Sequence, residues 1–284
     1  MTTPKPRQVR EPAGQEEGEV AGLPAAFYRR IDDDTYEATS ATESPWDATA
    51  QHGGPATALL IAAVERELSG SGLRATSVTA EFLGAIPRGV VDVTVSVVRS
   101  GRRVQLMEAT MHATDTPVAI ARCWCIRVDE REPRPATQLR PRSPHGIAAS
   151  TTFLPGVSST WPYGRAIEWR FIDGSYTETG PASVWARTRL PLIEGEPTSG
   201  LQRLAIVADS ANGVSCELDP RDWLFVPTGI AITVARHQHG DWLHLDAHTL
   251  LAGDGIGTVH ADLSDELGPV GTCSQPLLVQ LRPT

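Results

Sequence analysis

No apolar run in the 284-residue sequence approaches the ~20 residues that a bilayer-spanning helix needs. The first twenty residues, MTTPKPRQVREPAGQEEGEV, hold charges and prolines but no apolar h-region, so they read as neither signal peptide nor anchor. A disordered tail over residues 1–22 is expected. Cysteine is scarce: Cys123, Cys125, Cys216 and Cys273 include no CxxC pair, a usage that suits a reducing compartment and a cytoplasmic location. A thiolate nucleophile would need a base or positive charge nearby that the spacing does not supply. Positive charge is also in deficit, with 25 Lys+Arg against 34 Asp+Glu and a net charge of -9. Such a surface repels a phosphate backbone, and the one arginine-rich stretch, RVDEREPRPATQLRPRSPH, mixes both signs, which argues against a nucleic-acid partner. A membrane partner is not expected either. A GxSxG elbow, a Walker loop and an HExxH helix are all missing, which disfavours a serine hydrolase, a P-loop enzyme and a zinc protease.

What is present is an order of elements that occurs twice. HGGPATALLIAAVERELSG reads as a helix with Leu59, Leu60, Ala63, Val64 and Leu68 on one side, closed by Gly70 and Gly72. Four β-rich stretches follow: TSVTAEFL, VVDVTVSVV, RVQLMEATMHA and PVAIARCWCIRV. In the second of these, Val91, Val93, Val95 and Val97 alternate as a half-buried strand requires. The later stretch repeats the order, with LQRLAIVADSANG as helix and GIAITVARH, DWLHLDAHTLL, GTVHADLSD and PVGTCSQPLLVQL as strands. A shift of 152 positions superposes Ala56 on Ala208, Gly101 on Gly253, Ala109 on Ala261 and Pro117-Val118 on Pro269-Val270. One helix against about four or five antiparallel strands, done twice, is an α+β plan in which each helix covers one sheet face, and two such sheets can join edge to edge. The proline-rich residues 131–152 read as a linker between an N-terminal unit at 23–130 and a C-terminal unit at 153–284.

Several residues invite chemistry. Asp209 in VADSANG has Ala205 and Ile206 at i-4 and i-3, so it sits beside apolar positions, and a helix ending at Asn212-Gly213 would put it in the last turn, where the macrodipole disfavours negative charge. In a partly dry site its pKa would rise toward the range of a general base; the other reading is a surface or structural aspartate. The His52-Gly53-Gly54 turn opens the first helix, and glycines there let backbone N–H groups approach a ligand and polarise a carbonyl, although a plain tight turn capped by His52 has the same sequence. His244, Asp246 and His248 share one strand face. An HxDxH run of this kind more often marks a solvated face than a metal site.

The ordered strings QHGGPATALL, AIEWRFIDG, VWARTRLPLIEGEP, LQRLAIVADSANGVS, DWLHLDAHT, GIGTVHADLSDELGPVGTCSQ and LLVQLR resemble the acyl-CoA thioesterase family related to bacterial thioesterase II, over about residues 23 to 284. The resemblance implies a double hotdog: two helix-wrapped antiparallel sheets joined as one pseudo-dimeric unit. It implies hydrolysis of acyl-CoA or acyl-carrier thioesters by an aspartate-activated water, without metal or bound cofactor. Asp209 matches the family's catalytic aspartate and Gln275 its glutamine. The hydroxyl position falls on Pro227 with Thr228 beside it, so Thr228 serves only if the loop shifts by one residue. His52, Gly53 and Gly54 would contact the substrate. Two rivals stay open: a hotdog dehydratase or hydratase using His52 and Asp209, and a non-catalytic acyl-binding module. A double hotdog supplies its pairing internally, which leaves homo-oligomerisation undetermined.

Overall fold

The computed structural model describes residues 21–129 and 141–282. The expected tail up to residue 20 and the expected linker from 131 to 140 lie outside the described residues. In chain order, β1 (Tyr28–Arg30) and β2 (Thr35–Ala38) precede a helix, α1 (Gly53–Glu67), and four strands follow it: β3 (Leu73–Phe82), β4 (Val90–Arg99), β5 (Val104–Ala113) and β6 (Thr116–Arg127). The later part runs through a short turn of helix, α2 (Pro162–Arg165), then β7 (Ile167–Asp173), β8 (Ala182–Thr188), α3 (Gly200–Ala208) and α4 (Ala211–Val214). It ends with β9 (Trp223–Pro227), β10 (Gly229–Val234), β11 (Leu243–Leu251), β12 (Ile256–Asp265) and β13 (Gly268–Leu281).

These strands form one antiparallel sheet in the order β1-β2-β4-β5-β6-β3-β10-β13-β12-β11-β8-β7, with β9 on the side of β13. The centre of the sheet is the β3·β10 ladder, where Gly229 faces Glu81 and Thr233 faces Ser77. It joins the earlier strands to the later ones edge to edge and leaves neither β3 nor β10 as an open edge.

The registers carry the same period as the sequence matches. Thr79↔Arg122, Val104↔Ile126 and Asp92↔His112 recur at that shift as Ala231↔Ser274, Ile256↔Leu278 and His244↔Ser264. Even a bulge recurs, between Met111 and His112 and again between Leu263 and Ser264. The helices do not follow this period. Their N-caps are His52 and Ser199, and Ser199 comes several positions too early. The match of Ala56 to Ala208 is therefore accidental, since Ala56 lies in the first turn of α1 and Ala208 is the last residue of α3.

Two further expectations are corrected. Helix α1 is not apolar on one side only: Pro55, Ala56, Ala58, Leu59, Leu60 and Ile61 are all buried, because the sheet covers one flank and α3 the other. A helix enclosed in this way should be apolar nearly all round, and each of Leu59, Leu60 and Ile61 contributes about 1.5–3 kcal/mol by its burial. In β4 the alternation holds for Val91 and Val93, both buried, and fails at Val97, which is exposed where the register slips between Val97 and Arg99.

Close packing of α1 on α3 depends on Gly54. A Cβ there would press into the carbonyl oxygen of Ile206 and stand 3.1 Å from that of Ala205. Backbone cannot retreat as a side chain can. Gly54→Ala should therefore cost about 1–3 kcal/mol or more, as overpacking does. The control Gly89→Ala, with open space around its Cβ, should stay within about 0.5 kcal/mol. Urea midpoints of the two variants check this, and equal midpoints would mean that α1 and α3 are free to part.

Candidate active site

Helix α3 begins at Ser199 with a reciprocal cap: the Ser199 hydroxyl accepts from Gln202 N, and the Gln202 side chain accepts from Ser199 N. It runs for nine residues and stops at Ala208, one turn earlier than the sequence suggests, with Asp209 as its C-cap. The Asp209 carboxylate is thereby turned off the end of its own helix and toward the start of α1. It is 1% exposed. Its Oδ2 lies 2.7 Å from His52 Nδ1, and its Oδ1 accepts a 2.8 Å hydrogen bond from Gln275 Nε2.

The proton inventory of this trio is constrained. A carboxylate oxygen cannot donate, so its close contact with His52 requires a hydrogen on Nδ1. Gly54 N, 3.4 Å from the same nitrogen, then has no acceptor there. Gln275 spends both Nε2 hydrogens on Asp209, the second on its backbone carbonyl at 3.2 Å, while its buried Oε1 has no partner among the described residues. The His52 ring stacks on Tyr163 with centroids 4.0 Å apart and planes 9° from parallel. Tyr163 donates its hydroxyl hydrogen to Ile206 O at 2.7 Å, so the 2.8 Å contact with Ser210 Oγ is donated by the serine. Burial pushes the Tyr163 phenol well above its ordinary pKa, which keeps it a neutral donor.

Glycine at position 53 makes room for the carboxylate. A Cβ there would collide with the Phe82 ring and lie 2.9 Å from Asp209 Oδ2. The first-turn amides of α1 have no intrahelical acceptors, and the positive end of the α1 dipole favours an anion at this place. The macrodipole argument from the sequence is thus half of the account: the C-terminus of α3 repels the Asp209 charge and the N-terminus of α1 attracts it.

Asp209, His52 and Gly53 open onto a cavity of about 360 Å³ whose wall includes Trp46, Phe82, Ile86, Leu154 and Tyr176. Thr228 also lines it but is exposed; its backbone is tied to Pro276 O and Phe82 N, and no hydrogen bond joins it to Asp209. The structure therefore brings Asp209, Gln275 and His52 together and leaves Thr228 on the wall. Sequence reasoning missed Tyr163, Ser210 and Tyr176. Ser210 stood in plain view beside Asp209, whereas WPYGR and its Tyr163 have no periodicity to mark them. Of the HxDxH run, only Asp246 and His248 are exposed; His244 is buried against Trp185 of the paired strand β8, 2.8 Å from Ser183 Oγ, where burial lowers its pKa. Among the described residues no three His, Cys, Asp or Glu side chains are grouped to hold a metal ion.

All four cysteines are free and buried. Burial pushes Cys123 and Cys273 up to about 12, the charge of Asp209 adding to the effect at Cys273, and Cys125 and Cys216 up to about 11. Thiols so placed are protonated and shielded. Folded protein at pH 8 should react with a thiol-specific disulfide reagent far more slowly than protein in denaturant, and fast labelling of any one cysteine in the native state would contradict this placement.

The sequence pattern of the acyl-CoA thioesterase N-terminal domain matches residues 42–126, and that of the acyl-CoA thioesterase C-terminal domain matches residues 127–279. No curated protein matches the chain in sequence. Among solved structures, a candidate thioesterase of Novosphingobium aromaticivorans superposes with a TM-score of 0.70 at 21% identity, over 90% of this chain and 99% of that one. A hot dog fold protein of unknown function from Alicyclobacillus acidocaldarius gives 0.68 at 14%, over 90% and 96%. An acyl-CoA thioesterase II of Mycobacterium marinum gives 0.65 at 14%, again over 90% and 96%. At such identities the superpositions speak for the hotdog fold. The two domain patterns together span most of the chain, which belongs to the acyl-CoA thioesterase family and is a thioesterase.

Proposed function

We propose that the chain is a double hotdog, with units at 23–130 and 153–284 joined through β3 and β10, and that it hydrolyses acyl-CoA or acyl-carrier thioesters with water activated by Asp209. The recurrence of three ladders and a bulge at one period supports the doubling. Four buried free thiols fit a cytoplasmic setting, and no described helix is long and apolar enough to cross a membrane.

The observation that carries the mechanism is the buried Asp209 carboxylate, fixed at both oxygens and lining a largely apolar cavity. Two of its roughly four acceptor sites are taken by His52 and Gln275, which leaves acceptor capacity for a water hydrogen. In the proposed reaction the water oxygen attacks the thioester carbonyl carbon while Asp209 accepts its proton. The carbonyl oxygen gains negative charge at the α1 N-terminus, where the amides of Gly53 and Gly54 supply fixed donors. Collapse of the tetrahedral intermediate breaks the C–S bond, and the departing thiolate takes up the proton. Gln275 is not among the residues lining the cavity; it acts on Asp209 by holding Oδ1.

The direct His52–Asp209 contact favours one other reading, the hydratase, in which an imidazole held by the aspartate moves the proton. Enoyl-CoA offered to the purified protein separates the two, since hydration yields a hydroxyacyl thioester and hydrolysis a free thiol.

Asp209→Asn should lower kcat/KM by about 10²- to 10⁴-fold, the loss typical of a general base. The amide can accept from Gln275 through its oxygen and donate to His52 Nδ1 through its nitrogen once the ring shifts tautomer, so the thermal midpoint should move little. Near-normal hydrolysis by this variant would rule out Asp209 as the base. Gln275→Ala should cost about tenfold, the scale of one misplaced hydrogen bond, together with a lower thermal midpoint from the space left behind Asp209. A loss as large as that of Asp209→Asn would move Gln275 from positioning into the chemistry.

A further inference from the structure

His244 is withdrawn into the interior, but the ladder between β11 and β12 gives the rest of the HxDxH run new neighbours. His248 faces His260 across that ladder, and one alternation away Asp246 faces Asp262. All four are exposed, while Ala247, Val259 and Ala261 between them are buried, so the four side chains stand together on the outer face of the sheet. The hydrolytic site lies behind this face: Ser274 is the partner of His260 in β13, and the next residue, Gln275, turns inward to Asp209.

Two features set this block apart from an ordinary solvated face. The His248 and His260 rings have centroids 5.6 Å apart, with planes 54° from parallel. Two imidazoles bound to one ion at ~2.0–2.1 Å per nitrogen and a near-tetrahedral angle have centroids about 5 Å apart. A small rotation of either ring closes that difference. The second feature is charge. Carboxylates directly opposite each other destabilise a ladder, and among the described residues no lysine or arginine is paired with Asp246 or Asp262. Asp262 Oδ1 instead approaches His260 Nε2, at 3.9 Å.

We propose that His248 and His260 form a chelating pair for a divalent late-transition-metal ion of the Ni²⁺, Cu²⁺ or Zn²⁺ kind, with Asp262 orienting the His260 ring. The donor set selects the ion. Imidazole nitrogen suits these metals, whereas Mg²⁺ and Ca²⁺ take oxygen ligands. A dication also neutralises the two facing carboxylates, which have no other cation beside them. Two ring nitrogens are the whole protein contribution, so no group of three ligand side chains marks the place among the described residues, and water completes the coordination. An ion held there ties β11 to β12 on the face turned away from Asp209, independently of the hydrolytic chemistry.

The test is calorimetric titration of the chelator-treated full chain with Ni²⁺, the fold of each variant being checked by its thermal midpoint in chelator. The wild type should take up one ion. His248→Ala and His260→Ala should each weaken its binding by about tenfold or more, and Asp262→Asn by about tenfold, the scale of losing the group that orients a ligand. His145→Ala removes an exposed histidine whose neighbour is Glu266 and not a second imidazole, and should leave the affinity as it is. Zn²⁺ should displace Ni²⁺ from the same place, and Mg²⁺ at equal concentration should not. Unchanged affinity in both His248→Ala and His260→Ala would overturn the assignment. Equal displacement by Mg²⁺ would overturn it as well, because the attraction would then be a diffuse one to the two carboxylates. So would uptake of several ions with the same partial loss in His145→Ala as in His248→Ala, which is the signature of adventitious binding to single histidines.

Discussion

A carboxylate removed almost wholly from water is costly unless something replaces its hydration, and the arrangement around Asp209 can be understood as that replacement. His52 and Gln275 each supply a donor, and the α1 N-terminus supplies a positive potential. These donors come from three separated parts of the chain, so the carboxylate is stable in its place only when α1, α3 and β13 are all docked. Close docking in turn requires glycine at 53 and 54, since any side chain there would strike Phe82, Asp209 or the Ile206 carbonyl. Tyr163 completes the arrangement by stacking under His52 and tying off Ile206 O. The site and the helix pair are one packing problem.

The sheet supplies a frame in which that problem has a single solution. Three of its ladders repeat at one fixed shift, so the strands that form them stand in equivalent positions on either side of the β3·β10 seam. The helices start out of step with that shift, and the later one breaks at Asp209-Ser210 where the earlier one continues to Glu67. Equivalent strands with unequal helices give the two helix junctions different chemistry. The break in the later helix is what turns the carboxylate off the helix end and into the cavity.

The central strands were legible because alternation and β-branched residues mark them, as at Val91 and Val93. Strands β1, β2, β7 and β8 were not read from pattern, because short segments such as Tyr28–Arg30 and Thr35–Ala38 lack room for a period, and Ile167–Arg170 is buried at four consecutive positions. Asp209 was legible as an anomaly, a charge beside alanine and isoleucine at a helix end. Its partnership with His52 entered only as the pair of the rival hydratase reading, since a contact between a first-half turn and a second-half helix leaves no local trace. At the hydroxyl position the family pattern falls on Pro227, and Thr228 beside it lines the same cavity as Asp209 without a hydrogen bond to it.

The junction opposite the site explains why one half carries the acid. By helix numbering, Ala62 of α1 stands where Asp209 stands relative to α3, and an alanine can take no proton. The N-cap there is Ser199, and the carboxylate that reaches it is Glu65, three residues further along, which accepts from Ser199 Oγ at 3.1 Å and from Gln202 Nε2 at 2.7 Å. Burial nevertheless raises the Glu65 pKa, its hydrogen bonds offsetting only part of the desolvation. A carboxyl whose folded pKa lies above its unfolded one stabilises the fold most below the unfolded value and loses that contribution as pH rises through the folded value. Glu65 therefore costs the fold something at neutral pH while binding the two helices together through the α3 cap. The adjoining space is about 180 Å³, half that beside Asp209, and the charged Arg30, Arg66 and Glu196 share its wall with Tyr36, Ala62, Ile193 and Pro197. The same helix-start geometry thus serves packing at one junction, where the acid is spent on a serine cap, and remains available for chemistry at the other, where it faces an apolar cavity.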